Sequence, residues 1–397
     1  MKSEWKTIRA ADFMEFNPRR NLKKGTIATK ISMDKLQPYT KKIPETEQVE
    51  FSGGTKFSNG DTIMARITPC LENGKTAFVD CLNKDEVAFG STEFIVLRAK
   101  PGVSDAQFVY YLATSPEFRQ VAIKSMVGSS GRQRVQQPVL ENLELVVPEL
   151  PEQKRIGEFL AAIDDKIALN AKINDNLEQQ AVALFKSWFV DFSLFGGTVP
   201  ENWEDTTLEN ITTLITRGIA PKYSDNSDQT VVNQKCIRNH TIDLSLARTH
   251  TPKAINEKWL KFGDLLINST GDGTLGRVAQ VWFTPKALTV DSHVTIVRPA
   301  REELIFYIGL WGILHEKEIE SLHTGSTGQT ELPRDRVKML KLLLPDNISL
   351  SRFNSIITPM ASTIISNQEE NQKLASLRDT LLPKFMSGEI DVSNIQF

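Results

Sequence analysis

At 397 residues the chain is long enough for two or more domains, each with a sizeable core. Its 47 basic and 49 acidic residues leave a net charge of −2, which excludes a protein that coats nucleic acid by bulk charge but allows local basic patches. No apolar run approaches the ~18 residues of a membrane helix, and the polar start MKSEWK is no signal peptide. A cytoplasmic protein with no membrane partner is expected. Cys70, Cys81 and Cys236 have neither metal-site spacing nor an even disulfide count and read as reduced.

The chain is two copies of about 198 residues. EWKTIRAADF near Trp5 matches NWEDTTLENI near Trp203; GDTIMARI at Gly60 matches GDLLINST at Gly263; FIVLRA ending at Ala99 matches VTIVRPA ending at Ala300. GSSG at Gly128 and GSTG at Gly325 precede LELVVP and LKLLLP. Each copy is a globular α+β segment followed by a long helix.

In the first segment, Arg19, Arg20, Lys23, Lys24, Lys30, Lys35, Lys41 and Lys42 face a single acid, Asp34, between Glu15 and Glu45. Arg119, Lys124, Arg132 and Arg134 form a second basic stretch between Glu117 and Glu141. By charge alone these are equally solvated faces or binding faces. Runs rich in branched residues predict strands over 62–68, 76–80, 93–98 and 143–147. Ser104 with Gln107 reads as a capping box, and Ser115 with Pro116 opens a helix reaching about Met126.

Steps of four and three residues from Ile156 give Leu160, Ile163, Ile167, Asn170, Asn174, Leu177, Ala181, Leu184 and Trp188, a heptad seam with two central asparagines. The same steps from Phe353 give Ile357, Met360, Ile364, Asn367, Asn371, Leu374, Arg378, Leu381 and Phe385, broken only by Arg378. So narrow a stripe docks on a partner helix, and each seam is the simplest partner of the other. Buried amides must face amides to keep their hydrogen bonds. Antiparallel pairing sets Asn170 opposite Asn371 and Asn174 opposite Asn367, and uses both seams over their full length. A parallel pair also matches Asn with Asn, but needs a return of about 160 residues. The sequence leaves both open; antiparallel is favoured. A seam of 33 residues makes a rod of roughly 50 Å.

Pro148 and Pro151 precede the first long helix, and Phe195 to Pro200 (FGGTVP) reads as the hinge after it. The second segment predicts strands over 264–268, 278–283, 294–298 and 341–344, with mostly helix over 301–321. Pro383 and the SGE at Ser387 are expected to end the coil. The predicted architecture is α+β: two globular segments, residues 1–150 and 193–348, related by a pseudo-twofold axis and separated by an antiparallel two-helix coiled coil from residues 151–192 and 349–397.

No phosphate loop, zinc-protease or nucleophile-elbow motif is present, and the five histidines, all in the second half, lack metal-ligand spacing. No catalytic or metal-binding residue is assigned. Loops with hydrogen-bonding groups remain. GSSGRQR offers Ser129, Arg132, Gln133 and Arg134, and its repeat GSTGQT offers Ser326, Thr327 and Gln329. Glycine permits close approach, Ser and Thr suit phosphates, Arg the guanine edge and Gln the adenine edge. A plain connecting loop is the rival reading. After the GD turns, Arg66, Thr68 and Lys75 in one copy and Asn268, Thr270 and Arg277 in the other are further DNA-contact candidates, as are Arg19 and Arg20.

The chain resembles the specificity subunit of type I restriction-modification enzymes. LVVPELPEQKRIGEFLAAIDDKI from Leu145, LEQQAVALFKSWF from Leu177, PENW at Pro200 and LRDTLLPKFMSGEIDV from Leu377 carry the likeness by their order, spacing and duplication. The resemblance implies two target-recognition domains, each reading half of a bipartite site in double-stranded DNA, with the coil fixing the unread spacer. It also implies two partner methyltransferase subunits that use S-adenosylmethionine and a partner motor-nuclease that uses ATP, this chain binding neither cofactor. A self-contained DNA-modifying enzyme and a coiled-coil scaffold with no DNA role are the competing readings.

Overall fold

The computed structural model describes residues 5–129, 131–325 and 330–390. The chain divides into two compact units, Met1–Asn170 with Glu369–Phe397, and Ala171–Gln368. Each therefore combines one globular segment with half of each long helix.

In the first unit, strands Met14–Phe16, Phe94–Ala99, Thr62–Ala65 and Thr76–Phe78 form an antiparallel sheet in that order. Alternate residues of a strand point to opposite faces. Here both faces are covered: Met64, Phe78, Ile95 and Leu97 pack with the helix Ala106–Thr114 and with Ile156, Leu160 and Phe385 of the long helices. Ile63, Ala77, Phe94 and Val96 pack with Ile31 and Phe57 of a second sheet. Double burial is why these strands read as continuous apolar runs. The second sheet, ordered Glu47–Glu50, Ile27–Ile31, Ala88–Gly90 and Thr55–Phe57, contains one parallel pair, Lys30 beside Phe89. Lys6–Arg9 pairs antiparallel with Glu144–Val147.

The second unit repeats this plan. Thr212–Arg217, Val294–Pro299, Leu265–Asn268 and Val278–Gln280 make the antiparallel sheet. Leu265, Ile267, Val278 and Val297 face Phe185, Phe353 and Ile357 of the long helices, while Leu266, Ala279, Val294 and Ile296 face the Val232 and Val290 strands. Glu204–Thr207 pairs with Lys341–Leu344 as the counterpart ribbon.

The long helices span Leu150–Phe189 and Asn347–Met386, 40 residues each. None of the twenty seam positions is exposed. Within the first unit Asn170 Nδ2 donates to Asn371 Oδ1 at 2.9 Å, Asn371 Nδ2 reaches the Ile167 carbonyl at 3.2 Å, and the rings of Phe159 and Phe385 lie 5.4 Å apart. Within the second unit Asn367 Nδ2 donates to Asn174 Oδ1 at 2.8 Å, and Phe353 packs 5.6 Å from Trp188. Rising numbers on one helix meet falling numbers on the other, so the pairing inside each unit is antiparallel. Arg378, which broke the seam pattern, is half-buried and ion-paired to buried Asp164 at 2.7 Å.

Three local expectations change. The helix at 106 is capped by Asp105, whose side chain accepts from Phe108 N at 3.0 Å; Ser104 instead donates to the Phe13 carbonyl. Pro383 does not stop its helix, which runs on to Met386. The strand expected over 62–68 ends at Ala65, where the chain turns into the loop described next.

Candidate nucleic-acid interface

Each central strand ends in a loop that a main-chain frame holds against a second loop. In the first unit Arg66 N donates to Glu93 O at 2.9 Å, Val135 N to Arg66 O at 2.9 Å, and Val127 and Arg134 exchange both backbone bonds at 3.0 and 2.9 Å. The second unit makes the same frame with other residues: Ser269 N to His293 O at 2.8 Å, Leu332 N to Ser269 O at 2.8 Å, and Thr324 with Glu331 at 2.8 and 2.9 Å. Backbone bonds carry this geometry, so the side chains upon it are free to differ.

They differ in sign. Arg134 forks onto Glu93 with its closest contact at 2.6 Å, and that pairing raises the guanidinium's affinity for its proton. At the equivalent positions of the second unit stand Glu331, ion-paired to Arg217 at 2.6 Å, and His293, whose Nδ1 lies 2.6 Å from Thr270 Oγ1.

The candidate residues sort by what they touch. Arg66 is half-buried and reaches the Val135 carbonyl; Thr68 Oγ1 accepts from Gln133 N at 3.1 Å; Lys75 donates to the Met33 carbonyl at 2.9 Å. In the second unit Asn268 is buried and donates to the Gln234 carbonyl, Thr270 is shared between His293 and Gln234, and Arg277 donates to the Gly273 carbonyl at 2.7 Å. Arg277 braces its own loop, and the other groups, with Arg134, tie one segment to another. Ser129 and Arg132 are exposed and Gln133 is half-buried beside them, with no side-chain partner among the described residues. Ser326, Thr327 and Gln329 lie outside the described residues.

Arg19 and Arg20 lie elsewhere, in a notch shared with Asn17, Asn21, Gly54, Thr55 and Lys56. Both are exposed without an ion pair among the described residues, as are Lys23 and Lys24. Asn17 fixes the notch from below, accepting from Val96 N at 2.9 Å and donating to Gln137 Oε1 at 2.7 Å. Three other lysines of that basic stretch are engaged. Lys35 pairs with Glu45, Lys42 bridges Asp80 and Asp165, and Lys41 is buried against the rings of Phe78 and Tyr111. Burial lowers the Lys41 ammonium's pKa, opposed by the nearby carboxylates of Asp165 and Asp164.

A buried ion pair in each unit escaped notice at the sequence level. Arg98 forks onto Asp61 with both contacts at 2.6 Å, and Arg298 onto Asp264 at 2.8 and 2.7 Å, beneath the GD turns. The signal was available: an acid after glycine and an arginine near the end of the next long strand recur in both copies. Among the described residues no cluster of His, Cys, Asp or Glu could hold a metal ion, the three cysteines are free thiols, and no helix is long and apolar enough to cross a membrane.

Residues 2–179 match the family model of the type I restriction modification DNA specificity domain. That match takes in the first repeat and most of its long helix. Similar proteins cover both halves: the MjaIX specificity subunit of Methanocaldococcus jannaschii is 26% identical over 73% of this chain and 70% of its own length. The HindI specificity subunit of Haemophilus influenzae is 23% identical over 84% and 87%. The crystal structure of a type I restriction-modification S subunit from M. genitalium shares the fold, with 16% identity, 96% of each chain covered and a TM-score of 0.59. The matched description is of a DNA specificity domain, and both relatives are named as specificity subunits of type I restriction enzymes. The doubled frame is the part of the chain where side chains differ between halves without a change of fold.

Proposed function

We propose that residues 1–150 and 193–348 are two reading domains, each contacting one half of a bipartite site in double-stranded DNA, and that the helices of residues 151–192 and 349–397 set the unread spacer. One observation carries the reading: the same backbone frame occurs twice, bearing Glu93 and Arg134 in one copy and His293 and Glu331 in the other. A duplicated scaffold with unlike side chains suits two half-sites of unlike sequence. Arg132, Gln133 and Ser129 on the exposed loop are the base- and phosphate-contacting candidates of the first domain, and Ser326, Thr327 and Gln329 those of the second. Arg19 and Arg20 serve the phosphate backbone, which takes cations without regard to sequence. Arg66, Thr68, Lys75, Arg134, Asn268, Thr270 and Arg277 hold those loops in shape and reach DNA only by sharing their present bonds. Asn170, Asn174, Asn367 and Asn371 fix the register of the helices.

Two methyltransferase subunits bearing S-adenosylmethionine and a motor-nuclease subunit using ATP are the proposed partners, assembled in the cytoplasm. Deleting one heptad from each seam tests the ruler: the spacer of the methylated site should shorten by roughly three base pairs. An unchanged spacer in site-selection sequencing refutes it. Methyl transfer by the purified chain alone would instead favour a self-contained enzyme.

A further inference from the structure

The duplication creates a pairing problem. If the first long helix can dock on the second because their seams match, it can dock equally on the first helix of another copy of the chain. The asparagines do not prevent this: Asn170 and Asn174 recur as Asn367 and Asn371, so an Asn still meets an Asn in either self-pairing. Most apolar positions are likewise interchangeable.

One position is not. Asp164 and Arg378 form an ion pair in the first unit, with side chains 5% and 13% exposed, and Tyr111 OH donates to the second Asp164 oxygen at 2.6 Å. Moving 197 residues along the chain from Asp164 gives Ala361, and moving back by the same amount from Arg378 gives Ala181. Both alanines are buried in the core of the second unit. The place of the ion pair in one unit is thus taken by two methyl groups in the other.

Antiparallel self-pairing of two first helices would set Asp164 against Ala181 of the other copy. Self-pairing of two second helices would set Arg378 against Ala361. The first would strand the Asp164 carboxylate in a low-dielectric seam, and the second would leave Arg378 only its exposed neighbour Asp379, 2.8 Å away, arrangements disfavoured more than the loss of an exposed pair. Pairing the first helix with the second of the same chain matches charge with charge and methyl with methyl.

We propose that Asp164 and Arg378 are a selectivity device that directs each long helix to the other helix of its own chain and away from a second copy. Tyr111 tightens it by holding the carboxylate in place. The occupant refused is a second molecule of this chain.

The test uses the full chain carrying Asp164→Ala with Arg378→Ala, which reproduces the alanines of the second unit. Tagged and untagged copies are unfolded, mixed and refolded, then examined by light scattering and by co-purification of the untagged copy on the tag. The ratio of mixed dimer to monomer should rise by roughly tenfold or more over the unmodified chain, since no buried carboxylate is then left without its cation in the self-paired seam. A ratio equal to that of the unmodified chain in a folded, helical product overturns the proposal. Should the alanine pair not refold, Asp164→Asn with Arg378→Gln removes the charges and keeps shape; its mixed-dimer ratio is read against the same two outcomes. A pair that only adds stability would lower the melting temperature in these variants while leaving the ratio where it was.

Discussion

Arg98 and Asp61 meet through two hydrogen bonds of 2.6 Å beneath the first GD turn, where Asp61 also accepts from Ser58 N at 2.8 Å. The carboxylate is 1% exposed. Removing one member of such a pair leaves the other buried and uncompensated, at a cost of about 3–5 kcal/mol. Asp61→Ala should destabilise the first unit by that amount, and Asp264→Ala the second. Hydrogen exchange should place each loss of protection in the mutated unit. Equal loss in both units would mean that the pairs do not act locally.

Asp346 gives the second unit an acid-sensitive anchor. Burial favours its neutral form, but bonds from the Ser349 hydroxyl and backbone, the Trp203 indole at 2.8 Å and Ile348 N together bring its pKa down to about 2. A depressed carboxylate adds stability above its ordinary value of 3.8 and loses it as pH falls through the folded value. Between about pH 4 and pH 2 the second unit should lose on the order of 1 kcal/mol through this group, the figure being discounted for solvent screening. Asp346→Asn keeps the cap and should flatten that part of the acid unfolding curve; a curve of unchanged slope would exclude the anchor.

His240 works at the other end of the scale. Its hydrogen bond to Glu316, 3.3 Å away, raises its pKa above 6.5 against the effect of partial burial, with the nearby Glu178 carboxylate reinforcing it. The added stability is full below the ordinary histidine value and fades as pH rises through the folded one. Melting temperatures of native protein and of His240→Gln should converge between about pH 6 and about pH 9. A gap that persists at the alkaline end would show that the imidazole contributes by packing alone.

Arg132 and Arg134 are two residues apart and should behave differently. Arg134→Ala removes the fork onto Glu93 and loosens the loop. Arg132→Ala removes a cation with no partner among the described residues, so binding should weaken with a salt slope smaller by about 1 if it meets phosphate. Relaxed choice at one base pair, with the slope kept, would place it at a base edge instead. Affinity and selectivity both unchanged would remove it from the interface.

The framework was legible where burial is two-sided or periodic. Residues 63–65 and 94–97 are apolar throughout because both their faces are covered, and the seams keep their period because one stripe of each helix is turned to the other helix and the core beside it. The Glu47–Glu50 strand was invisible: EQVE is exposed at all four positions and lies at a sheet edge, so no apolar alternation marks it. Within the basic stretch, sequence could not tell Arg19, which faces solvent, from Lys41, which turns inward onto aromatic rings. Nor could it tell Arg132 from Arg134, since the acid that claims Arg134 lies 41 residues away, in the turn before another strand.

The loops at the strand ends are braced by amide and carbonyl groups common to every residue. Their tips are therefore cassettes: transplanting the stretch between Val127 and Val135 into the place between Thr324 and Leu332 asks the recipient to form the same few backbone bonds. On the proposed reading, address and chassis change hands separately, and new specificities arise by exchange of a short segment as well as by gradual substitution.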